Sequence, residues 1–290
     1  MVAPKCQELF QQFSDSHLLE SHVLVENLRR LVEDQASRRK SDAKLRPSRR
    51  RQQAAYNVTA FNTYGQMLQH INSLARMYPG RLRVQEYGRS VENRPLTVAI
   101  LGSDPRGTAK PAFWIDSCIH SREWISCAAN MHLLDMLITR YDRDPRVRAL
   151  VDSVTLYIVP VVNPDGYEYT HAAVDLEHRL WRKNRAPAVC APSSSASDYQ
   201  GGGVICCAGV DLNRNFDYDF YNDDGSSPDH CSNTYRGRAP FSEPEAAAIR
   251  DFTATIADLR GFLSLHTFGK VIMYGGGLPA PSPPDNAGEL

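Results

Sequence analysis

The chain has 290 residues, with 33 Lys plus Arg against 33 Asp plus Glu and a formal net charge of zero, so its bulk charge makes no case for nucleic acid or an anionic membrane as partner. Hydrophobic residues make up 42% and charged residues 23%, the balance of an ordinary globular protein. No apolar run nears the roughly 20 residues of a membrane span, and the N-terminal MVAPKCQELFQQFSDSHLLE has charges and glutamines where a signal peptide needs an unbroken apolar stretch.

Residues 1–51 are polar, helix-prone and basic towards their end. Ser37 to Gln53 holds eight Lys and Arg with no continuous apolar face, which reads as an exposed, flexible connector. Arg49-Arg50-Arg51 in such a loop invites nicking by a trypsin-like protease. From about Tyr56 the pattern is compact. Met67, Leu68, Ile71, Leu74 and Met77 fall near helical spacing. Short apolar runs follow at Leu96–Leu101, Ala112–Ile115, Val154–Val162 and Phe262–Leu265, with helical patterns around Trp124–Tyr141 and Glu243–Leu259. Ser242-Glu243-Pro244-Glu245 has the form of a capping box with proline in the first turn. Strands alternating with helices predict an α/β fold with a largely buried sheet, and no internal repeat is visible.

Six of the seven cysteines follow residue 110, a density that suits an oxidising compartment. Asn57-Val58-Thr59 is a glycosylation sequon and points the same way.

The strongest local signal is Ile115-Asp116-Ser117-Cys118-Ile119-His120-Ser121-Arg122-Glu123-Trp124. An apolar strand runs into His-x-x-Glu at its C-terminal end, where open α/β sheets place ligands. An imidazole and a carboxylate at that spacing can face one cation, and His266, after the apolar run Phe262–Leu265, offers a third donor. Asn163-Pro164-Asp165-Gly166 has turn composition, and Trp181-Arg182-Lys183-Asn184-Arg185 by itself reads as a solvated basic patch. Gly209-Val210-Asp211-Leu212-Asn213-Arg214-Asn215-Phe216 places an amide beside a guanidinium, the side chain suited to gripping a carboxylate.

In this order, HSREW, NPDGYEYT, LWRKNR, GVDLNRNF and FLSLHTF resemble the zinc metallocarboxypeptidases of the carboxypeptidase A/B type. The resemblance runs from about Tyr56 to Tyr274. It implies a three-layer α/β fold with a mixed, mostly parallel twisted sheet flanked by helices. It also implies one Zn²⁺ on His120, Glu123 and His266, with Asp211 orienting His120. By the same resemblance Arg182 polarises the scissile carbonyl, Asn213 and Arg214 grip the substrate's terminal carboxylate, and Arg122 contacts the peptide further in. Cys207 and Cys231 match the family's disulfide; Cys190 and Cys206 can form a second, with a zinc knuckle of Cys190, Cys207, His230 and Cys231 as the alternative. Partners implied are peptide or protein C-termini, protein inhibitors and an activating trypsin-like protease, in a secreted protein; nucleic acid and membrane are not among them. Leu18–Gln35 resembles the end of an inhibitory pro-segment, so that 1–51 reads as pro-segment remnant and activation linker and 52–290 as an incomplete peptidase catalytic domain.

The chain departs from the family after Tyr274. The family's general-base glutamate comes well beyond the third ligand, but here 24 residues follow His266 and Glu289 is the only glutamate among them. The expectation is therefore a C-terminally truncated member, lacking the family's last strands and helices, whose activity is impaired. Glu123 cannot take over, since a metal ligand is not free to shuttle a proton. A non-catalytic peptide- or inhibitor-binding protein and a zinc deacylase are the alternative readings.

Overall fold

The computed structural model describes residues 7–16, 25, 27–44, 56–102, 110–172, 175–192 and 204–273. The chain divides into two compact units, residues 1–46 with 174–176, and residues 47–173 with 177–290. The first carries helices α1 (Gln7–Ser16) and α2 (Leu28–Lys44). Helix α2 takes in Ser37 to Lys44, so part of the expected flexible connector is helical. Arg and Lys are good helix formers, and a helix can be polar all round. Arg49-Arg50-Arg51, the pro-segment-like residues 18–24 and the tail, residues 274–290, lie outside the described residues.

The second unit is built on a five-stranded sheet in the order β1 (Leu82–Arg89), β2 (Pro95–Leu101), β4 (Thr155–Val159), β3 (Ala112–Ser117), β7 (Leu259–Leu265). β1–β2 and β2–β4 are antiparallel, while β3 runs parallel to β4 and to β7. The parallel pairs are joined through helices: α4 (Trp124–Arg140) and α5 (Pro145–Ser153) link β3 to β4, and α8 (Pro244–Thr253) precedes β7. Between them lie α6 (Pro164–Ala172), α7 (Leu176–Arg179) and the hairpin of β5 (Val189–Pro192) with β6 (Val204–Cys207).

Period-two alternation splits the sheet between two cores. Ala99, Leu101, Ile115, Leu156 and Ile158 join α3 (Tyr64–Met77), α4 and α5 on one face; Val98, Ile100, Trp114 and Val159 meet Ile249 and Phe252 of α8 on the other. Fully burying each Val, Leu or Ile among them contributes roughly 1.5–3 kcal/mol. This is the mixed sheet flanked by helices expected from the sequence. Strand β1 is hidden in the sequence, because Arg83, Gln85 and Glu86 obscure its alternation.

Two helix starts correct the sequence reading. Glu243 is the N-cap of α8 but makes no side-chain cap. Glu245 instead turns inward and accepts hydrogen bonds from Val91 N–H (3.1 Å) and Asn184 Nδ2 (3.2 Å). The true capping box is Thr63 with Gln66, opening α3. Asn163-Pro164-Asp165-Gly166 is likewise no loop turn: Asn163 Oδ1 accepts from Gly166 N–H at 2.9 Å, and Pro164 begins α6, where its missing N–H costs nothing.

Candidate metal centre

β3 ends in a left-handed residue, Cys118 (φ 51°), whose disulfide to Cys127 ties this turn to α4. The turn delivers His120 and Glu123, both buried, beside the end of the neighbouring parallel strand β7, which delivers His266. His120 Nδ1 lies 2.9 Å from Glu123 Oε1, and His266 Nδ1 lies 3.1 Å from both Glu123 Oε2 and His120 Nδ1. The three side chains form a group able to hold a metal ion.

The surroundings of each donor fit that role. His120 Nε2 faces Asp211 Oδ1 at 3.1 Å, so its proton sits on the far nitrogen and a lone pair points inward. His266 Nε2 stands 3.3 Å from Ser264 Oγ, which donates to Asp116 Oδ1 at 2.6 Å; Asp116 also accepts from Trp114 Nε1 at 2.8 Å. Thr267 N–H donates to Glu123 Oε2 at 3.0 Å, a bond that favours the ionised carboxylate. Two inward lone pairs and an ionised carboxylate within about 3 Å of each other repel unless a cation lies among them, and ligands of one tetrahedral zinc stand roughly that far apart.

Asp211 also accepts both Nε (3.1 Å) and Nη2 (2.9 Å) of Arg182, and burial of its carboxyl is outweighed by His120 and Arg182, which lower its pKa. The guanidinium therefore reaches the centre, with Nη1 3.9 Å from Glu123 Oε1. The supposed basic patch is thus not solvated. Lys183 Nζ donates to the carbonyls of His230 and Ser232, and Arg185 stacks over Tyr169 at 3.7 Å. Ser121 Oγ donates to Trp181 O at 2.6 Å, fastening the two segments.

Gly209 (φ +82°) opens the Asp211 segment; a Cβ there would stand 2.5 Å from Asn184 O, so only glycine fits. Asn184 Oδ1 accepts from Val210 N–H at 2.8 Å, locking this segment against the Arg182 segment. A short 3₁₀ turn, Leu212–Arg214, then carries Asn213 and Arg214, and Asn213 N–H donates to Asp211 Oδ1 at 3.0 Å. Arg214 donates to the backbone oxygens of Gly225 and Asn213 and pairs with no carboxylate among the described residues. Arg122, half-buried, donates to Leu180 O at 3.3 Å; burial and then the charge of Arg182 lower its pKa.

Sequence reasoning missed Asp116 and Ser264. The only available signal was an acid in the last turn of an otherwise apolar strand. Cys207 bridges Cys231 and Cys190 bridges Cys206, so the zinc-knuckle alternative is overturned: its thiolates are taken up in disulfides, leaving His230 alone.

A family profile described as zinc carboxypeptidase matches residues 67–290, more than half of the chain. Carboxypeptidase A1 of Bos taurus is 32% identical over 273 residues, covering 94% of this chain and 59% of that protein. The crystal structure of carboxypeptidase A from Helicoverpa armigera superposes with a TM-score of 0.77 at 29% identity, covering 100% of this chain and 64% of that one. Bovine thrombin-activatable fibrinolysis inhibitor, in complex with tick carboxypeptidase inhibitor, superposes with a TM-score of 0.63 at 30% identity over 80% of this chain and 69% of that one. The chain thus spans about three fifths of the length of the curated relatives it matches. Given this match and the donor cluster at the ends of β3 and β7, the chain belongs to the zinc carboxypeptidase family.

Proposed function

We propose that His120, Glu123 and His266 bind one Zn²⁺ and that the site serves hydrolysis at peptide C-termini in a secreted protein. The observation that carries this reading is Asp211, whose two oxygens orient a candidate ligand and the Arg182 guanidinium together. Zinc in such a site polarises a carbonyl and lowers the pKa of water. Arg182 would add its charge where negative charge develops on the carbonyl oxygen. Arg214, unmatched by a described carboxylate, suits the terminal carboxylate of a peptide, with Asn213 beside it and Arg122 further along the chain. Residues 1–51 would be a pro-segment remnant and linker, removed by a trypsin-like protease, and 52–290 the peptidase portion. Protein inhibitors of the kind bound by the bovine relative are candidate partners. Three disulfides support the secreted location.

Among the described residues, the carboxylates bonded to the cluster are Glu123 and Asp211, and both are committed to histidines. Neither is free as a general base, whose contribution is typically 10²–10⁴-fold. Turnover that relies on these two carboxylates alone is therefore expected to be slow at best.

The test is zinc titration of the full chain. One ion should bind, and His120→Ala, Glu123→Ala or His266→Ala should each weaken it by more than the roughly hundredfold that an orienting partner contributes. With zinc bound, a peptide acid should bind about ten- to a hundredfold better than its amide, a preference that Arg214→Ala removes. Zinc binding unaffected by all three substitutions would refute the site. Equal affinity for acid and amide would refute the exopeptidase reading. Acid preference without any turnover would favour the non-catalytic binder, whereas the profile match over residues 67–290 speaks against the deacylase.

A further inference from the structure

The sequon is a sequence motif that the candidate site does not absorb, and the chain contains a single Asn-x-Ser/Thr sequence, Asn57-Val58-Thr59. It lies just before α3, on the surface of the second unit. Asn57, Val58 and Thr59 are all exposed. Their turn is nevertheless held in one shape from beneath. Buried Asn62 receives the Asn57 N–H on its Oδ1 (3.1 Å) and donates its Nδ2 to the Asn57 and Ala60 carbonyls (2.8 Å each). Tyr167 OH donates to Asn62 O at 2.6 Å, anchoring the turn to α6. On the other flank the Tyr56 ring stacks on His70 at 4.1 Å.

The side-chain geometry within the turn bears on reactivity. Asn57 Oδ1 accepts from Thr59 N–H (3.0 Å) and from Thr59 Oγ1 (2.8 Å), an Asx turn. Both bonds fall on the amide oxygen. The amide nitrogen, Nδ2, makes no hydrogen bond among the described residues, and its residue is exposed. Thr59 thus holds the amide oxygen in place while the amide nitrogen stays open on an exposed residue.

We infer that Asn57 is an acceptor for an N-linked oligosaccharide. In the transfer, Asn57 Nδ2 forms a bond to C1 of the first sugar of a lipid-linked sugar diphosphate. The C1–O bond to the diphosphate breaks, the lipid diphosphate leaves with the bonding electrons, and the amide loses one proton. The folded domain then accommodates the product, because the acceptor is exposed and the turn's shape depends on Asn62, not on Asn57 Nδ2. The inference rests on the secretory routing proposed above and is independent of zinc and of turnover.

The experiment expresses the full chain behind a cleavable secretion leader in eukaryotic cells and maps the secreted product by mass spectrometry, before and after enzymatic release of N-glycans. The expected result is conversion of Asn57 to Asp on release, lost in Asn57→Gln and in Thr59→Ala but retained in Thr59→Ser, which keeps the hydroxyl. Disulfide mapping of the same sample reports whether the chain passed through an oxidising compartment. A secreted wild-type chain with its three bridges formed and Asn57 unmodified would overturn the inference while leaving the carboxypeptidase reading untouched. A glycan that persists in Thr59→Ala would equally overturn the role given to the Asx turn.

Discussion

The centre joins two parts of one sheet that are built differently. On the β2, β4, β3 side nearly every side chain is buried, including Val98, Ile100, Trp114 and Ile158. β7, at the other end, pairs only with β3 among the described residues, and its Phe262 and Leu263 are 51% and 50% exposed. The candidate ligands divide the same way. The His120 side chain is 3% exposed and its partner is a buried carboxylate, whereas the His266 side chain is 32% exposed and its partner is a hydroxyl. One half of the site is therefore fixed by dense packing, and the other by a strand edge and one serine. A half-exposed apolar strand edge is also a surface on which chains associate.

Packing should give the largest contrast. Ile158→Ala removes side-chain volume from a fully buried position and is expected to cost about 2–5 kcal/mol. Leu263→Ala, half exposed, should cost less than about 1 kcal/mol. Urea unfolding of both variants measures this, and equal losses would erase the distinction between the two halves.

The next effect depends on pH and belongs to the buried half. The Glu245 carboxyl is pushed from its ordinary 4.5 up to about 7, chiefly by burial. The folded protein then keeps a proton that the unfolded chain has released, so this group's contribution to stability falls as pH rises from about 4.5 to about 7 and is level above that. The swing is on the order of 2–3 kcal/mol. Glu245→Gln should flatten the stability profile over that window, read from unfolding curves at several pH values. A profile as steep as that of the wild type would mean that Glu245 is not the responsible group.

The smallest effect compares the two orienting partners. Asp211→Asn should weaken zinc roughly 10- to 100-fold, and Ser264→Ala less. Competition with a chelator measures both, and a larger loss for Ser264→Ala would place the controlling partner on the exposed half.

The candidate ligands were legible because His120 and Glu123 lie close in sequence after an apolar run, and His266 follows a second one. Less legible was anything that depends on which buried face a residue occupies. Asp116 and Ser264 come together only because β3 and β7 are parallel neighbours, a pairing no local pattern encodes. Glu245 satisfied the local rule for a cap, but the packing of α8 turned it towards Asn184. The basic run at 182–185 looked solvated because the carboxylate and carbonyls that receive it are distant in sequence.

The Cys118–Cys127 bridge closes a covalent ring around His120 and Glu123. Unfolding the protein without reducing it leaves those two candidate ligands inside a closed ring, so the denatured chain keeps two of the three donors close together. Metal bound to that ring lowers the free energy of the unfolded state as well as the folded one. Zinc should then protect the oxidised protein against heat less than its affinity for the native site would dictate.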